Sequence, residues 1–217
     1  LCSVSGGSKD NAIPVSACAA LVVENRGRAA AACRRMEEVF RREYAVADGA
    51  ITVSAQSGQD AGVPMDTDTT RRALTLLQCA PNGVQEMSRE VEGLVQTSLN
   101  LGILTTSADS VRASFCVRSN INSQKEMLLH RLELLSAVLG GSFSVSGAYP
   151  AWEYRADSPL RRLMAEVFAE QCGHAPTVEV IHAGVECGLL ADKLSGLDCV
   201  SIGPDLTEIH TPRERMH

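Results

Sequence analysis

The side chains in this sequence best suited to metal or acid–base chemistry are its five histidines: His130, His174, His182, His210 and His217. His182 and His210 both follow short apolar stretches and lie in segments rich in Gly and Pro. Catalytic residues of α/β proteins favour loops at strand ends. These two histidines are therefore the candidates for a ligand or catalytic role. The alternative, that either one is an ordinary polar loop residue, stays open at this point.

The cysteines are spaced singly, and no CxxC pair occurs among Cys2, Cys18, Cys33, Cys79, Cys116, Cys172, Cys187 and Cys199. A structural zinc site would pair its cysteines, and a small secreted scaffold would cluster them. Most of these residues stand among apolar neighbours, which predicts buried free thiols in a reducing cytoplasm. Cys187 lies close to His182, but no nucleophile signature surrounds it, so a small buried thiol is predicted there as well.

Other chemical motifs are weak. Glu37 and Glu38 form a carboxylate pair within a charged stretch that is typical of a solvated helix face. Gly6 and Gly7 are not followed by a Walker lysine pattern, and neither HExxH nor HxD occurs anywhere. No complete catalytic constellation can therefore be assembled from these motifs alone.

Composition excludes several classes of protein. The 217 residues are 45% apolar and 21% charged, with 26 acidic and 20 basic residues, which is typical of a globular chain with room for one large or two small domains. No basic stripe points to nucleic acid, and the longest apolar runs are too short to span a membrane. No signal-peptide pattern is visible. Because the chain starts at Leu1 and ends at His217 just after a motif, we expect an internal piece of a longer chain.

Helices and strands alternate along the predicted chain. Helical periodicity and capping residues predict helices over residues 27–44, 67–79, 123–139, 159–172 and 186–194. Apolar or alternating runs predict strands over residues 15–23, 51–55, 94–104, 111–118, 142–147, 177–181 and 197–202, with a loop over 3–14 and a hairpin turn over 107–110. The order predicts an α/β or α+β fold.

Two neighbouring strands show a clear period of two. The first alternates Val95, Thr97, Leu99, Leu101 and Ile103 with polar residues, and we expect those five to share one face. In the second strand Arg118 falls on the polar face, opposite Phe115 and Val117. Its guanidinium is therefore expected to project away from the core, although an exposed or ion-paired arginine is the commoner case.

Six motifs, in order along the chain, resemble those of the aminoacyl-histidine dipeptidases, a bacterial carnosinase-like group of co-catalytic zinc peptidases. They are GGSKDNAIP at 6–14, EGLVQTSLNLG at 92–102, VRS at 117–119, GAYPAW at 147–152, HAGVECG at 182–188, and SIGP at 201–204 with HTP at 210–212. The resemblance covers essentially all of this chain and about the C-terminal half of a family member.

The resemblance implies a two-domain architecture. Residues 1–147 would form most of a lid domain of mixed sheet and helix, incomplete at its N-terminus. Residues 148–217 would form the C-terminal part of an α/β catalytic domain that lacks its last helix. The proline and the only tryptophan, Pro150 and Trp152, stand at that boundary.

The resemblance also implies hydrolysis of Xaa-His and related dipeptides by a metal-activated water. Two zinc ions would activate the water and a glutamate would act as general base, although other divalent metals are compatible with the family. Most of those groups, including the HxD motif, have no match here, so no catalytic residue is assigned. His210 matches a metal ligand, and Asn11, Arg118 and Gly184 match substrate-binding positions. A guanidinium suits the carboxylate of a dipeptide because two parallel N–H bonds fit it.

The implied partners are a dipeptide and a second copy of the complete enzyme in a homodimer, in the cytoplasm. The chain departs from the family where Glu208 and Ile209 precede His210 and where Arg213 follows Pro212 in place of an acidic residue. Two alternatives stay open: another enzyme of the zinc superfamily, such as an aminoacylase or carboxypeptidase, or a non-catalytic binding module built from the lid.

Overall fold

The structure is a computed structural model that describes residues 1–58, 62–180, 186–208 and 211–217. The strands within these ranges are β1 (Ser3–Gly6), β2 (Ala17–Ala20), β3 (Gly83–Met87), β4 (Val95–Thr106), β5 (Val111–Ser119), β6 (Leu206–Thr207) and β7 (Arg215–Met216). The helices are α1 (Arg26–Glu43), α2 (Thr67–Cys79), α3 (Asn122–Val138), α4 (Pro159–Cys172) and α5 (Glu186–Lys193). The predicted mixed α/β class is confirmed.

The chain divides into two compact units. The first comprises Leu1–Ala80 and Asn100–Cys116, and the second comprises Pro81–Leu99 and Val117–His217. The chain passes between them inside the long strands β4 and β5, so each of these strands contributes one end to each unit.

Strand β4 has the most neighbours in the sheet. In the first unit β1 runs antiparallel to β2, pairing Ser3 with Ala20, and also meets β4 where Gly6 pairs with Leu104. In the second unit β3 runs antiparallel to the start of β4, with register shifts around Glu86. Strand β5 also pairs with β4. The predicted hairpin turn between them is confirmed, since the amide of Ser107 donates to the carbonyl of Ser110 at 2.8 Å.

Each unit has its own small core. The buried apolar side chains are Cys2, Val4, Ala73 and Leu104 in the first unit and Leu99, Leu128 and Leu132 in the second. Along β4 the buried residues are Thr97 and Leu99, then Gly102 and Leu104. Alternate residues of a strand face opposite sides. The buried face of β4 therefore changes between Leu99 and Gly102, where the strand passes from the second unit to the first. The sequence had predicted one apolar face that continued to Ile103.

All five predicted helices are present, because their end signals are local. The carboxylate of Asp66 accepts a hydrogen bond from the amide of Thr69 and caps α2. Helix α4 has Ser158 as its N-cap, proline at its first position, and Gly173 at its C-cap with a φ of 76°. Gly140, with a φ of 69°, follows α3.

The strand predictions are less accurate. The predicted loop over 3–14 contains β1, and the predicted buried strand over 15–23 is reduced to the largely exposed β2. Strand β3 was not predicted. Residues 51–55, 142–147, 177–180 and 197–202 form no strand, while residue 181 lies outside the described residues. An apolar run becomes a strand only when another strand pairs with its backbone, and no strand among the described residues pairs with these four segments. The amide of Val53, for example, donates instead to the side-chain carboxylate of Glu37 at 2.8 Å.

The predicted burial of the cysteines is wrong for most of them. All eight are free thiols, but only Cys2 is buried, whereas Cys18, Cys79 and Cys172 are exposed. Cys18 lies on the largely exposed β2, Cys79 is the last residue of α2, and Cys172 is the last residue of α4, in which no residue is buried. In the described ranges, no helix has the length and apolar character needed to cross a membrane.

Candidate functional site

Asn11 lies exposed in the loop between β1 and β2, and β4 holds that loop in place. The side-chain amide of Asn100 on β4 donates to the carbonyl oxygens of Asp10 at 3.1 Å and Ala12 at 2.8 Å. These two bonds bracket Asn11. The loop geometry around this predicted substrate-binding residue is therefore set by a side chain from a distant part of the sequence.

Two glycines allow the same loop to approach β4 closely. A Cβ atom on Gly7 would lie 1.8 Å from the carbonyl oxygen of Gly102, and Gly7 has a φ of +69°. A Cβ atom on Gly102 would lie 2.2 Å from the carbonyl oxygen of Asp10. No side chain fits at either distance, so both positions require glycine. The first motif of the family resemblance thus meets the last three residues of the second motif, Asn100–Gly102, in the first unit.

Arg118 lies near the end of β5, is half-buried, and lines a pocket of about 660 Å³ within the second unit. A polar network fixes the strand end beside it. The hydroxyl of Thr97, which is 0% exposed, forms hydrogen bonds with Ser119 at 2.8 Å and with the amide oxygen of Gln124. The Ser119 hydroxyl also accepts from the amide of Ile121 at 3.0 Å. This network sets the direction in which β5 ends, and therefore the position of Arg118.

The first residues of α3 hold another wall of the pocket. The side-chain oxygen of Asn122 accepts from the amide of Ala151 at 2.8 Å and from the ammonium of Lys125 at 3.3 Å. Lys125 also donates to the carbonyl of Tyr149 and lies 5.9 Å from the centre of its ring. The GAYPAW motif is thereby fixed next to the strand end that carries Arg118.

The start of α4 and Asp198 form a third part of the wall. The Asp198 carboxylate accepts from the amide of Leu160 at 2.8 Å and from the buried hydroxyl of Ser158 at 2.7 Å. These bonds, the amide of Leu160 first, lower the pKa of Asp198 below its ordinary value. The carboxylate thus satisfies one free N–H group at the helix start, that of Leu160, and has a structural role.

The other two pocket arginines bind backbone carbonyls. Arg161 donates to the carbonyls of Arg155 at 3.0 Å and Ala156 at 2.7 Å, and its guanidinium lies 5.1 Å from the ring centre of Tyr154. Arg155 donates to the carbonyl of Gly196 at 3.2 Å. Both guanidinium groups therefore bind the backbone of the pocket wall.

The remaining predicted site residues, Gly184 and His210, lie outside the described residues, as does His182. The two departures from the family pattern that flank His210 pair with each other, since Arg213 donates to the carboxylate of Glu208 at 3.0 Å. The described residues hold no group of three or more His, Cys, Asp or Glu side chains that could bind a metal ion.

The structure places Asn11 in the first unit and Arg118 in the second. Sequence reasoning missed their supports, which are Asn100, Gly102, Thr97 and Gln124. One signal was available: Thr97 is a hydroxyl on an otherwise apolar strand face, and a buried hydroxyl needs a hydrogen-bond partner. Nothing in the spacing indicated that Asn100 binds the Asn11 loop.

Comparison with known proteins gives a consistent result. No protein-family model matches the chain. The chain is 31% identical over 219 aligned residues to the cytosol non-specific dipeptidase of Escherichia coli strain K12, covering all of this chain and 45% of the relative. It also matches the crystal structure of aminoacylhistidine dipeptidase from Vibrio alginolyticus, with a TM-score of 0.86 and 34% identity, over 99% of this chain and 44% of that one.

The chain therefore spans a little under half the length of these relatives. Both matches run along essentially the whole of it, in sequence and in fold. The resemblance to the aminoacyl-histidine dipeptidases is confirmed.

Proposed function

We propose that this chain forms the substrate-binding lid and the last part of the catalytic domain of a metal-dependent dipeptidase that hydrolyses Xaa-His and related dipeptides. The observation that carries the proposal is the match of the whole chain, at a TM-score of 0.86, to an aminoacylhistidine dipeptidase. The proposed domains are residues 1–147 and 148–217. A cytoplasmic location is proposed from the name of the Escherichia coli relative.

In this proposal Arg118 binds the free carboxylate of the dipeptide. Its position supports this role, since it is half-buried at a strand end that the Thr97 network fixes, and it lines a pocket large enough for a dipeptide. A guanidinium provides two parallel N–H donors for a carboxylate. Asn11 and the backbone of Gly184 are proposed to contact the same substrate, with Asn11 held in place by Asn100.

The proposed metal is zinc, two ions in the complete enzyme, with His210 as one ligand. The described residues do not fit a metal site by themselves, because zinc needs three or four protein ligands and no such cluster is present among them. The other ligands and the general base are therefore proposed to come from the part of the enzyme that this chain does not match. A homodimer of the complete enzyme is proposed from the family resemblance.

The test compares the purified 217-residue chain with the full-length dipeptidase that carries it, using an Xaa-His dipeptide with and without a chelator. We expect turnover only by the full-length enzyme, and only without the chelator. In that enzyme His210→Ala should lower both the metal content and kcat. Chelator-sensitive turnover by the chain alone, or an inactive full-length enzyme, would contradict the proposal.

A further inference from the structure

The side-chain oxygen of Asn120, two residues after Arg118, is buried, and none of the residues that the structure describes donates a hydrogen bond to it. Asn120 lines the same pocket of the second unit as Arg118 and is half-buried as a residue. Native proteins rarely leave a buried acceptor unpaired, because such an atom has lost its hydrogen bonds to water. The pocket wall therefore has an open hydrogen-bond position close to the proposed carboxylate site.

Hydrogen bonds hold the backbone on both sides of this oxygen. The amide of Asn120 donates to the carbonyl of Gln96 on β4 at 3.2 Å. The hydroxyl of Ser119, one residue earlier, accepts from the amide of Ile121, one residue later, at 3.0 Å. The same strand end therefore positions both the Arg118 guanidinium and the unpaired oxygen of Asn120.

A single neutral oxygen in a buried position suits a neutral donor that has one N–H group. An ammonium group carries a full charge and several N–H groups, and one amide oxygen leaves most of that charge uncompensated. A neutral imidazole has a single N–H. The pocket also offers flat apolar surface for a ring, since Tyr149, Pro150 and Trp152 line it. Asn122 holds this wall next to the strand end through the amide of Ala151 at 2.8 Å.

We propose that the side-chain oxygen of Asn120 accepts a hydrogen bond from the imidazole N–H of a C-terminal histidine and so makes the enzyme prefer histidine at that position. This inference rests on the proposed function, in which Arg118 binds the carboxylate. The carboxylate and the side chain of that substrate residue are attached to one α carbon. Residues two apart in an extended chain lie about 6–7 Å from each other, so one substrate residue can reach both Arg118 and Asn120. Arg118 binds the group that all dipeptides share, whereas Asn120 distinguishes their side chains.

The test measures kcat/KM of the full-length enzyme for an Xaa-His dipeptide and for the same dipeptide ending in thienylalanine, whose ring has a similar size but no N–H group. The wild type should prefer histidine by about 10–100-fold. Asn120→Leu keeps the approximate size and removes the acceptor, so this ratio should fall close to one, mainly through a lower value for histidine. Thr177→Val is the control, because it removes an exposed hydroxyl elsewhere in the pocket lining and should leave the ratio unchanged. An unchanged ratio in Asn120→Leu, including equal losses on both substrates, would overturn the inference.

A second measurement needs no turnover. In the substrate-free 217-residue chain, Asn120→Leu removes a buried oxygen that has no partner, so the Tm should rise by about 2–6 °C. Thr177→Val should leave the Tm unchanged. A lower Tm for Asn120→Leu would show that the oxygen is already bonded within the protein, and would overturn the inference. The two proposals fail in different ways: an enzyme that hydrolyses neither dipeptide contradicts the proposed function, whereas one that hydrolyses both with an unchanged ratio in Asn120→Leu contradicts only the role of Asn120.

Discussion

Strand β4 supports the two predicted substrate residues by different means. In the first unit Gly102 allows the Asn11 loop to pass so close that a Cβ atom would lie 2.2 Å from a carbonyl oxygen. In the second unit Thr97 fixes the strand end that carries Arg118 through side-chain hydrogen bonds. The first arrangement depends on the absence of a side chain and the second on the chemistry of one. The two regions should therefore respond differently to small substitutions.

The largest effect on stability is expected from Gly102→Ala. The new methyl group cannot fit against Asp10, so the loop or β4 must shift, and we expect a loss of about 3 kcal/mol in the free energy of unfolding. Urea denaturation measures this. Gly58→Ala in the same unit is the matched control, because a Cβ atom there has nothing within 4 Å, and its stability should stay unchanged or rise slightly. Equal stability of the two variants would show that the close approach is not needed.

A smaller loss is expected from Thr97→Val, which keeps the volume and removes the hydroxyl. Ser119 and Gln124 then lose a buried partner, at a cost of about 1–3 kcal/mol. In the full-length enzyme we expect the KM for a dipeptide to rise more than kcat falls, because Arg118 shifts. Thr97→Ser is the control, since it keeps the hydroxyl and should restore KM. If Thr97→Ser raised KM as much as Thr97→Val, packing rather than hydrogen bonding would position the strand end.

The smallest effect is expected from Asn100→Ala, which removes the two bonds to the Asn11 loop but leaves the glycine contact. We expect a loss of about 1 kcal/mol in unfolding free energy. Asn100→Asp has the same size and no N–H donor, and its carboxylate faces two carbonyl oxygens, so it should lose at least as much. A wild-type stability for Asn100→Asp would mean that these hydrogen bonds do not hold the loop.

The sequence predicts features that depend on local signals and misses those that depend on distant partners. Helix α2 forms over the predicted residues because Asp66, which directly precedes its first residue, caps it. The apolar pattern over 197–202 predicts a strand, but no described strand pairs with this segment, so it forms none. Chain-local patterns carry no information on that neighbour.

The same distinction applies to the candidate site. Arg118 could be predicted as a substrate-binding residue from its place on the polar face of a strand together with the family resemblance. The structure shows that it lines a pocket. The bonds from Asn100 to the Asn11 loop join residues about ninety positions apart, and no periodicity predicts such a contact. Sequence therefore identifies residues by type, whereas the supports that position them appear only in the fold.

The central claim is that Arg118 binds the substrate carboxylate, and kcat/KM for an Xaa-His dipeptide and for its C-terminal amide tests it most directly. Arg118→Ala in the full-length enzyme should reduce kcat/KM for the acid by an amount equivalent to about 2–5 kcal/mol, because a charge-assisted pair is lost. Arg118→Lys should recover only part of that loss, since it keeps the charge without the two parallel donors. The amide should be a poor substrate for the wild type and nearly insensitive to either substitution. Equal losses on acid and amide would contradict the claim and would assign Arg118 to the support of the fold.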